Sequence, residues 1–124
     1  MEIAIIAHDG KKADMVQFLN KNKDILDKDF IKLIATGTTG YKAELAGFKI
    51  KKMLSGPLGG DAQIAARVAE GKTKMVLFFK DPLASHAHEV DINMLLRVCD
   101  VHNVPIATNE ASAQLLLYAI VQQS

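Results

Sequence analysis

The feature that most constrains the fold of this chain is a regular alternation of short apolar segments with longer segments of helical periodicity. Apolar runs occupy residues 3–7, 30–35, 75–79 and 104–107, and residues 49–53 alternate between polar and apolar as in an edge strand. Short runs of branched residues are typical of buried strands. Strands that alternate with helices form parallel βαβ units. The sequence therefore predicts an α/β fold: a three-layer α/β/α sandwich with a five-stranded parallel sheet and 75–79 as its central strand.

Length, charge and cysteine content exclude several classes of protein. The chain has 124 residues, which suits a single domain over 1–124. Its 15 Lys and Arg against 14 Asp and Glu lack the basic surplus of a nucleic-acid binder. One cysteine, Cys99, cannot form an internal disulfide or a cysteine metal site. The longest apolar run, Leu115–Val121, is shorter than the roughly 20 residues of a membrane span, and the N-terminus does not resemble a signal peptide. We therefore expect a soluble cytoplasmic protein.

Polar and glycine-rich segments follow every predicted strand. Ligands of open parallel α/β sheets bind outside the carboxyl ends of the strands, near helix N-termini. We therefore expect a site where these segments meet, and they are His8–Asp9, 35–40, 55–61, 81–91 and Thr108–Asn109.

Two glycine-rich segments are candidate anion sites. Residues 35–40, ATGTTG, combine hydroxyl groups with a predicted helix start, and this combination favours a phosphate. A tight turn with a threonine cap explains the same residues equally well. In residues 55–61, SGPLGGD, Ser55 and the backbone near Gly56 are able to complete such a site. Asp61 is either the N-cap of the next helix or a carboxylate beside a substrate.

Residues 81–91, DPLASHAHEVD, gather five side chains that ionise. His86 and His88 have a spacing found in metal sites, and with Asp81 they would form a metal centre. The alternative is proton chemistry, with carboxylates as bases and a histidine as electrophile. Asp91 has a third interpretation, because an acidic residue in the first turn stabilises a helix dipole.

The remaining polar residues have simpler interpretations. Lys12 follows His8 and Asp9 closely enough to contact a phosphate, although a surface lysine is the commoner case. Cys99 is expected to be a small core residue. Residues 21–30 mix both charge signs, which is typical of a solvated surface segment.

Five motifs occur in one order along the chain: IAHDGKK, ATGTTG, SGPLGGD, DPL and ATN, between His8 and Asn109. Together they resemble the methylglyoxal synthase family. The resemblance implies a methylglyoxal synthase-like fold and a carbon–oxygen lyase that converts dihydroxyacetone phosphate to methylglyoxal and inorganic phosphate. It also implies no metal or organic cofactor, a cytoplasmic homohexamer, and inhibition by phosphate.

The same resemblance assigns a role to each matching position. Asp61 matches the catalytic base and His88 the histidine electrophile. The other matching active-site residues are Asp81, Asp91, His8 and Asp9, and the matching phosphate-binding residues are His8, Lys12, Thr36, Thr38, Thr39, Ser55, Gly56 and His88. Members usually continue past the last helix into a tail with an arginine near the phosphate, whereas this chain stops at Ser124. The family's proline–histidine pair is replaced by Ala87-His88, and His86 is an additional histidine.

These residues suit removal of a proton next to a carbonyl, followed by loss of phosphate from the enediolate. Elimination requires the ester bond to stand perpendicular to the enediolate plane, and we expect the anion site to hold it there. One alternative is a non-catalytic regulatory module that binds a small phosphorylated effector. Such a module needs no base or electrophile, so the presence of Asp61 and His88 favours the enzyme. Another alternative is a zinc hydrolase built on the two histidines of residues 81–91.

Overall fold

Five parallel strands form the centre of the molecule. The computed structural model describes residues 1–123, and the side chains of 1–122. The strands lie in the order β3-β2-β1-β4-β5, and every neighbouring pair is parallel. Their bounds are β1 Glu2–Ala7, β2 Lys32–Ala35, β3 Ile50–Lys52, β4 Thr73–Phe79 and β5 Ile106–Ala107. The predicted five-stranded parallel sheet is confirmed.

Helices cover both faces of the sheet. They are α1 Lys12–Lys21, α2 Lys23–Leu26, α3 Gly37–Leu45, α4 Gly60–Ala69, α5 Glu89–Val101 and α6 Glu110–Gln123. Ile3 and Ile5 of β1 pack in a cluster with α1, α3 and α6. Ala4 and Ile6 point to the other face and pack in a cluster with α4 and α5. This alternation of side chains confirms the three-layer α/β/α sandwich.

The position of residues 75–79 was predicted incorrectly. They belong to β4, which pairs with β1 and β5, and the middle strand is β1. Both strands are buried on both faces, so hydropathy alone cannot distinguish them. Strand β3 is the predicted edge strand, and its Lys51 and Lys52 are exposed.

Two further predictions concern burial. Cys99 is a core residue, as predicted, and burial raises the pKa of its thiol to about 11. The predicted solvated segment 21–30 is wrong in part, because Asn22 and Leu26 are buried. Among residues 1–123, no helix has the length and hydropathy needed to cross a membrane.

A pair of amides fixes the C-terminal end of α1 against α6. Asn22 Nδ2 donates to Gln114 Oε1 at 2.9 Å, and Gln114 Nε2 donates to Asn22 Oδ1 at 2.7 Å. Asn22 Nδ2 also donates to the carbonyl of Phe18 at 2.8 Å. These bonds explain why a polar residue is buried inside a segment of mixed charge.

Asn22→Ala should lower the free energy of unfolding by about 1–3 kcal/mol, because it removes both bonds to the Gln114 amide and the side-chain bond to the Phe18 carbonyl. Urea denaturation measures the change. The control is Asn20→Ala on an exposed position of the same helix, which should change the free energy of unfolding by less than about 0.5 kcal/mol. Equal effects of the two substitutions would contradict the role of the amide pair.

Candidate active site

A cavity of about 330 Å³ opens at the carboxyl ends of β1, β2 and β4. It brings together most of the residues predicted from the strand ends. Those that line it are His8, Asp9, Lys12, Thr36, Thr38, Gly56, Asp61, Asp81 and His88. Thr39, Ser55 and Asp91 are not among the lining residues. The convergence follows from the parallel sheet, which places every strand's carboxyl end at one edge.

Asp61 lies at the bottom of this cavity in the first turn of α4. Its side chain is 0% exposed, and neither carboxylate oxygen has a hydrogen-bond partner among the described residues. The N-cap position belongs to Gly59, with φ of 105°, so the N-cap interpretation of Asp61 is wrong. A Cβ on Gly60 would lie 1.9 Å from the carbonyl oxygen of Leu54. Only glycine therefore permits the close approach that brings Asp61 inward.

The pKa of Asp61 is raised, chiefly because burial disfavours its charged form. The positive charge of His88 opposes this shift in the pKa, and the negative charge of Asp91 reinforces it. A carboxylate with raised proton affinity and no hydrogen bond from the described residues is suited to remove a proton from a ligand.

His88 stands beside Asp61 immediately before α5. Its Nε2 is 3.5 Å from Asp61 Oδ2, and its Nδ1 is buried without a described partner. A Cβ on Gly56 would lie 2.8 Å from His88 Nε2, so the glycine makes room for the imidazole. Asp61 and His88 therefore form an acid–base pair with unused hydrogen-bonding capacity.

His8 is a buried, neutral hydrogen-bond donor. The backbone N–H of Asp81 donates to His8 Nδ1 at 2.9 Å, so the neutral ring carries its proton on Nε2. That Nε2 is buried, and the described residues offer it no partner. Burial lowers the pKa of His8 from 6.5 to about 4, with help from the positive charges of His86 and His88. The ring is therefore able to donate to a ligand at neutral pH.

Lys12 is buried, so the surface-lysine interpretation is wrong. Its ammonium donates to the carbonyl of Ala7 at 2.9 Å and to Asp9 Oδ1 at 2.7 Å. The bond from Lys12 holds the pKa of Asp9 below its usual range. An ammonium has three donors, and these two bonds use two of them.

The threonines of residues 35–40 divide into two kinds. Thr36 and Thr38 line the cavity at the N-terminus of α3. Thr39 is buried, and its Oγ1 accepts from the N–H of Ala7 at 3.2 Å and from Thr36 Oγ1 at 3.3 Å. Thr39 thus fixes α3 to the end of β1. Its predicted phosphate contact stays a prediction.

Three other predicted residues make contacts that shape the loops. Asp81 Oδ1 accepts from the N–H of Leu83 at 3.1 Å. The carbonyl of Ser55 accepts from the N–H of Gly60 at 2.9 Å. Asn109 Oδ1 accepts from the N–H of Ser112 at 2.9 Å and caps α6. Asn109 lies in a neighbouring depression and not in the main cavity.

His86 lines the cavity, although its sequence context predicts no role beyond that of a possible metal ligand. Its ring stacks on His8, with centroids 3.6 Å apart. Its only sequence signal is the position two residues before His88. Among the described residues, no group of three His, Cys, Asp or Glu side chains is placed to hold a metal ion.

An acid–base pair beside a helix N-terminus, at the carboxyl edge of a parallel sheet, defines the class of α/β domains that act on small anionic ligands. Residues 14–108 match the family described as the MGS-like domain. The chain is 52% identical to a methylglyoxal synthase of Clostridium botulinum over 94% of this chain and 98% of that protein. It is 53% identical to a methylglyoxal synthase of Carboxydothermus hydrogenoformans over 97% and 98%. The chain belongs to the methylglyoxal synthase family.

A solved structure agrees with these relatives. The crystal structure of a methylglyoxal synthase from Elizabethkingia anophelis has a TM-score of 0.87 and 41% identity. The match covers 94% of this chain and 76% of that one. The match covers a larger share of the Clostridium botulinum protein, 98% of its length.

Buried His8 should make the protein less stable as pH falls. The pKa of His8 is about 4 in the folded chain, whereas its ordinary value of 6.5 applies to the unfolded chain. Between pH 4 and pH 6.5, the unfolded chain therefore binds a proton that the folded chain does not. The free energy of unfolding should therefore fall from pH 6.5 to 4, by about 2–3 kcal/mol from this residue.

Chemical denaturation of His8→Gln at several pH values checks this contribution. The variant should lose that part of the decline in the free energy of unfolding, whereas His102→Gln, which replaces an exposed histidine, should retain it. Parallel declines in wild type and His8→Gln would show that His8 titrates normally.

Proposed function

We propose that this chain is a methylglyoxal synthase, a lyase that converts dihydroxyacetone phosphate to methylglyoxal and inorganic phosphate. The observation that carries the proposal is the buried, unpartnered carboxylate of Asp61, 3.5 Å from His88 and inside a cavity at the N-terminus of α3. The named relatives support the same activity.

Asp61 would act as the base. It takes a proton from the hydroxymethyl carbon next to the substrate carbonyl, and the electron pair of the C–H bond forms the enediolate. Because burial raises the pKa of Asp61, its carboxylate is a stronger base than an exposed aspartate. The negative charge of Asp91 also raises the pKa of Asp61 and so strengthens the base. We assign Asp91 no contact with the reacting carbon.

His88 would donate a hydrogen bond to the oxygen that becomes negative. It stands next to the base, so the carbonyl oxygen and the acidic C–H bond of one substrate are both within reach. Removal of one such donor typically costs about 10²–10³ in kcat. The Nε2–H of His8 is a second donor in the same cavity.

The phosphate would lie against Lys12, Thr36 and Thr38 at the start of α3, where helix N–H groups favour an anion. Gly56 lines the same cavity, and its lack of a side chain lets the backbone approach the phosphate. Asp9 positions Lys12 by accepting its hydrogen bond. Held with its ester bond perpendicular to the enediolate plane, the phosphate leaves with the bonding electrons, and it takes the hydroxyl proton of the enediolate as that oxygen becomes the aldehyde carbonyl. The remaining enolate takes a proton at its methylene carbon and becomes methylglyoxal.

The alternative of a regulatory module has weaker support. A module that only binds a phosphorylated effector needs the anion site and gains nothing from a buried carboxylate that lacks a partner, which is costly to keep. Asp61 and His88 are both present and adjacent in this chain.

Assembly, inhibition and compartment also belong to the proposal. We propose a homohexamer in the cytoplasm, formed by residues 1–124 as one domain and inhibited by phosphate, as the family resemblance implies. The exposed apolar side chains that such an assembly could cover include Leu83, Val90, Leu115 and Tyr118. The phosphate product fits the same anion site as the substrate.

Incubation with dihydroxyacetone phosphate should release methylglyoxal and inorganic phosphate without added metal. Asp61→Asn should lower kcat by about 10²–10⁴, because the amide cannot accept the proton, while inorganic phosphate still binds. Asp100→Asn on the exposed side of α5 is the matched control and should keep full activity. Turnover by Asp61→Asn within tenfold of wild type would exclude Asp61 as the base. No turnover by the wild-type protein would favour the regulatory module.

A further inference from the structure

His86 holds an unused polar atom inside the cavity. Its Nε2 is buried and has no hydrogen-bond partner among the described residues. The ring is fixed in place, because it stacks on His8 at 3.6 Å between centroids and lies edge-on to His88 at 5.9 Å. A buried polar atom without a partner normally marks a site that a ligand or water completes. His86 has this property without a role in the proton transfer described above.

The cavity is also short of positive charge. Asp9, Asp61 and Asp81 line it, and Lys12 is the only lysine or arginine among its described lining residues. A phosphate ester carries about −1.5 to −2 charge at pH 7. Lys12 is already bonded to Asp9, so the pair offers little net charge to a ligand. An anion therefore requires a further cation, and among the described lining residues only the imidazoles can supply one.

We propose that His86 is a further ligand-binding residue, whose protonated ring donates from Nε2 to a phosphate oxygen and supplies this charge. The proposal rests on the proposed function in that the phosphate is taken to belong to the substrate or product of that reaction. It predicts that anion affinity is higher at pH 6 than at pH 8, and that this difference depends on His86.

The stacked arrangement of the two rings disfavours a second charge. Two imidazolium rings in contact repel each other, so at most one of the pair is charged. His8 is the more deeply buried ring, and its Nδ1 accepts from the N–H of Asp81, which favours its neutral form. The charged or titratable groups around His86 are His8, Asp9, Lys12, Asp61, Asp81 and His88 in the cavity, with Glu89 in electrostatic range of His8.

Sulfate is the probe of choice, because it is a tetrahedral dianion whose charge does not change between pH 6 and 8. Calorimetric titration of the wild-type protein should show a lower Kd for sulfate at pH 6 than at pH 8. His86→Phe retains an aromatic ring against His8 and removes both the donor and the charge. It should raise the Kd at pH 6 by about tenfold or more, as expected for a charged hydrogen bond, and by less at pH 8.

His86→Gln guards against a variant that fails to fold. It keeps a neutral donor, so it should bind sulfate at pH 8 within a fewfold of wild type and should lose most of the tightening at pH 6. His102→Phe, at an exposed position after α5, should bind sulfate as the wild type does. Thermal unfolding of each variant verifies that it is folded.

The outcomes separate this proposal from the proposed function. Sulfate binding requires no turnover, so a protein inactive on dihydroxyacetone phosphate still tests His86. Equal Kd values for sulfate in wild type and both His86 variants, at both pH values, would overturn the proposal even if the enzyme is active. An equal loss of affinity at pH 6 and pH 8 would overturn the assignment of the positive charge to His86.

Discussion

The buried carboxylate of Asp61 is the constraint on which the rest of the site depends. Burial without a hydrogen bond disfavours the ionised form of a carboxyl group, and it raises the pKa of Asp61. Gly60 allows α4 to approach the carbonyl of Leu54 and bring the carboxylate inward. Gly56 then leaves room for His88 beside it. The local sequence SGPLGGD thus places a buried carboxylate next to the imidazole of His88.

The sheet explains why this charge lies near an anion site. The ends of β1, β2 and β4 meet at one edge, so the start of α3, Lys12 and the loop before α5 surround the same cavity. The buried bond between Thr39 and the N–H of Ala7 fixes α3 to the end of β1. Distances between the base and the anion site are therefore set by the core and not by flexible surface contacts.

The strands and helices could be predicted from the sequence, because burial of one or both faces leaves a regular spacing of apolar residues along the chain. Residues 3–7 and 75–79 read equally well as buried strands, however, and pairing alone decides that β1 is the middle one. Asn22 appeared to belong to a solvated segment because its partner, Gln114, is 92 residues away. Such long-range contacts leave no local pattern.

The sequence indicated which residues form the site, but it did not indicate their burial or their contacts. The strand-end positions indicated which side chains would meet, and the resemblance assigned their roles. The sequence could not decide whether Asp61 caps a helix, because that depends on the left-handed backbone of Gly59. It could not show that Lys12 is buried, because its contact with the carbonyl of Ala7 requires the folded turn. The stacking of His86 on His8 joins loops from two different strands and has no local signal.

Burial makes Asp61 a stronger base than an ordinary aspartate. The most direct test is the titration of its carboxyl carbon by NMR in protein labelled with ¹³C-aspartate, with Asp61→Asn used to assign the resonance. We expect the pKa of Asp61 to lie above that of an exposed aspartate and to match the pKa of the acidic limb of kcat/KM. Asp91→Asn should lower both pKa values. A pKa of Asp61 at or below the ordinary value would contradict its role as a base strengthened by burial.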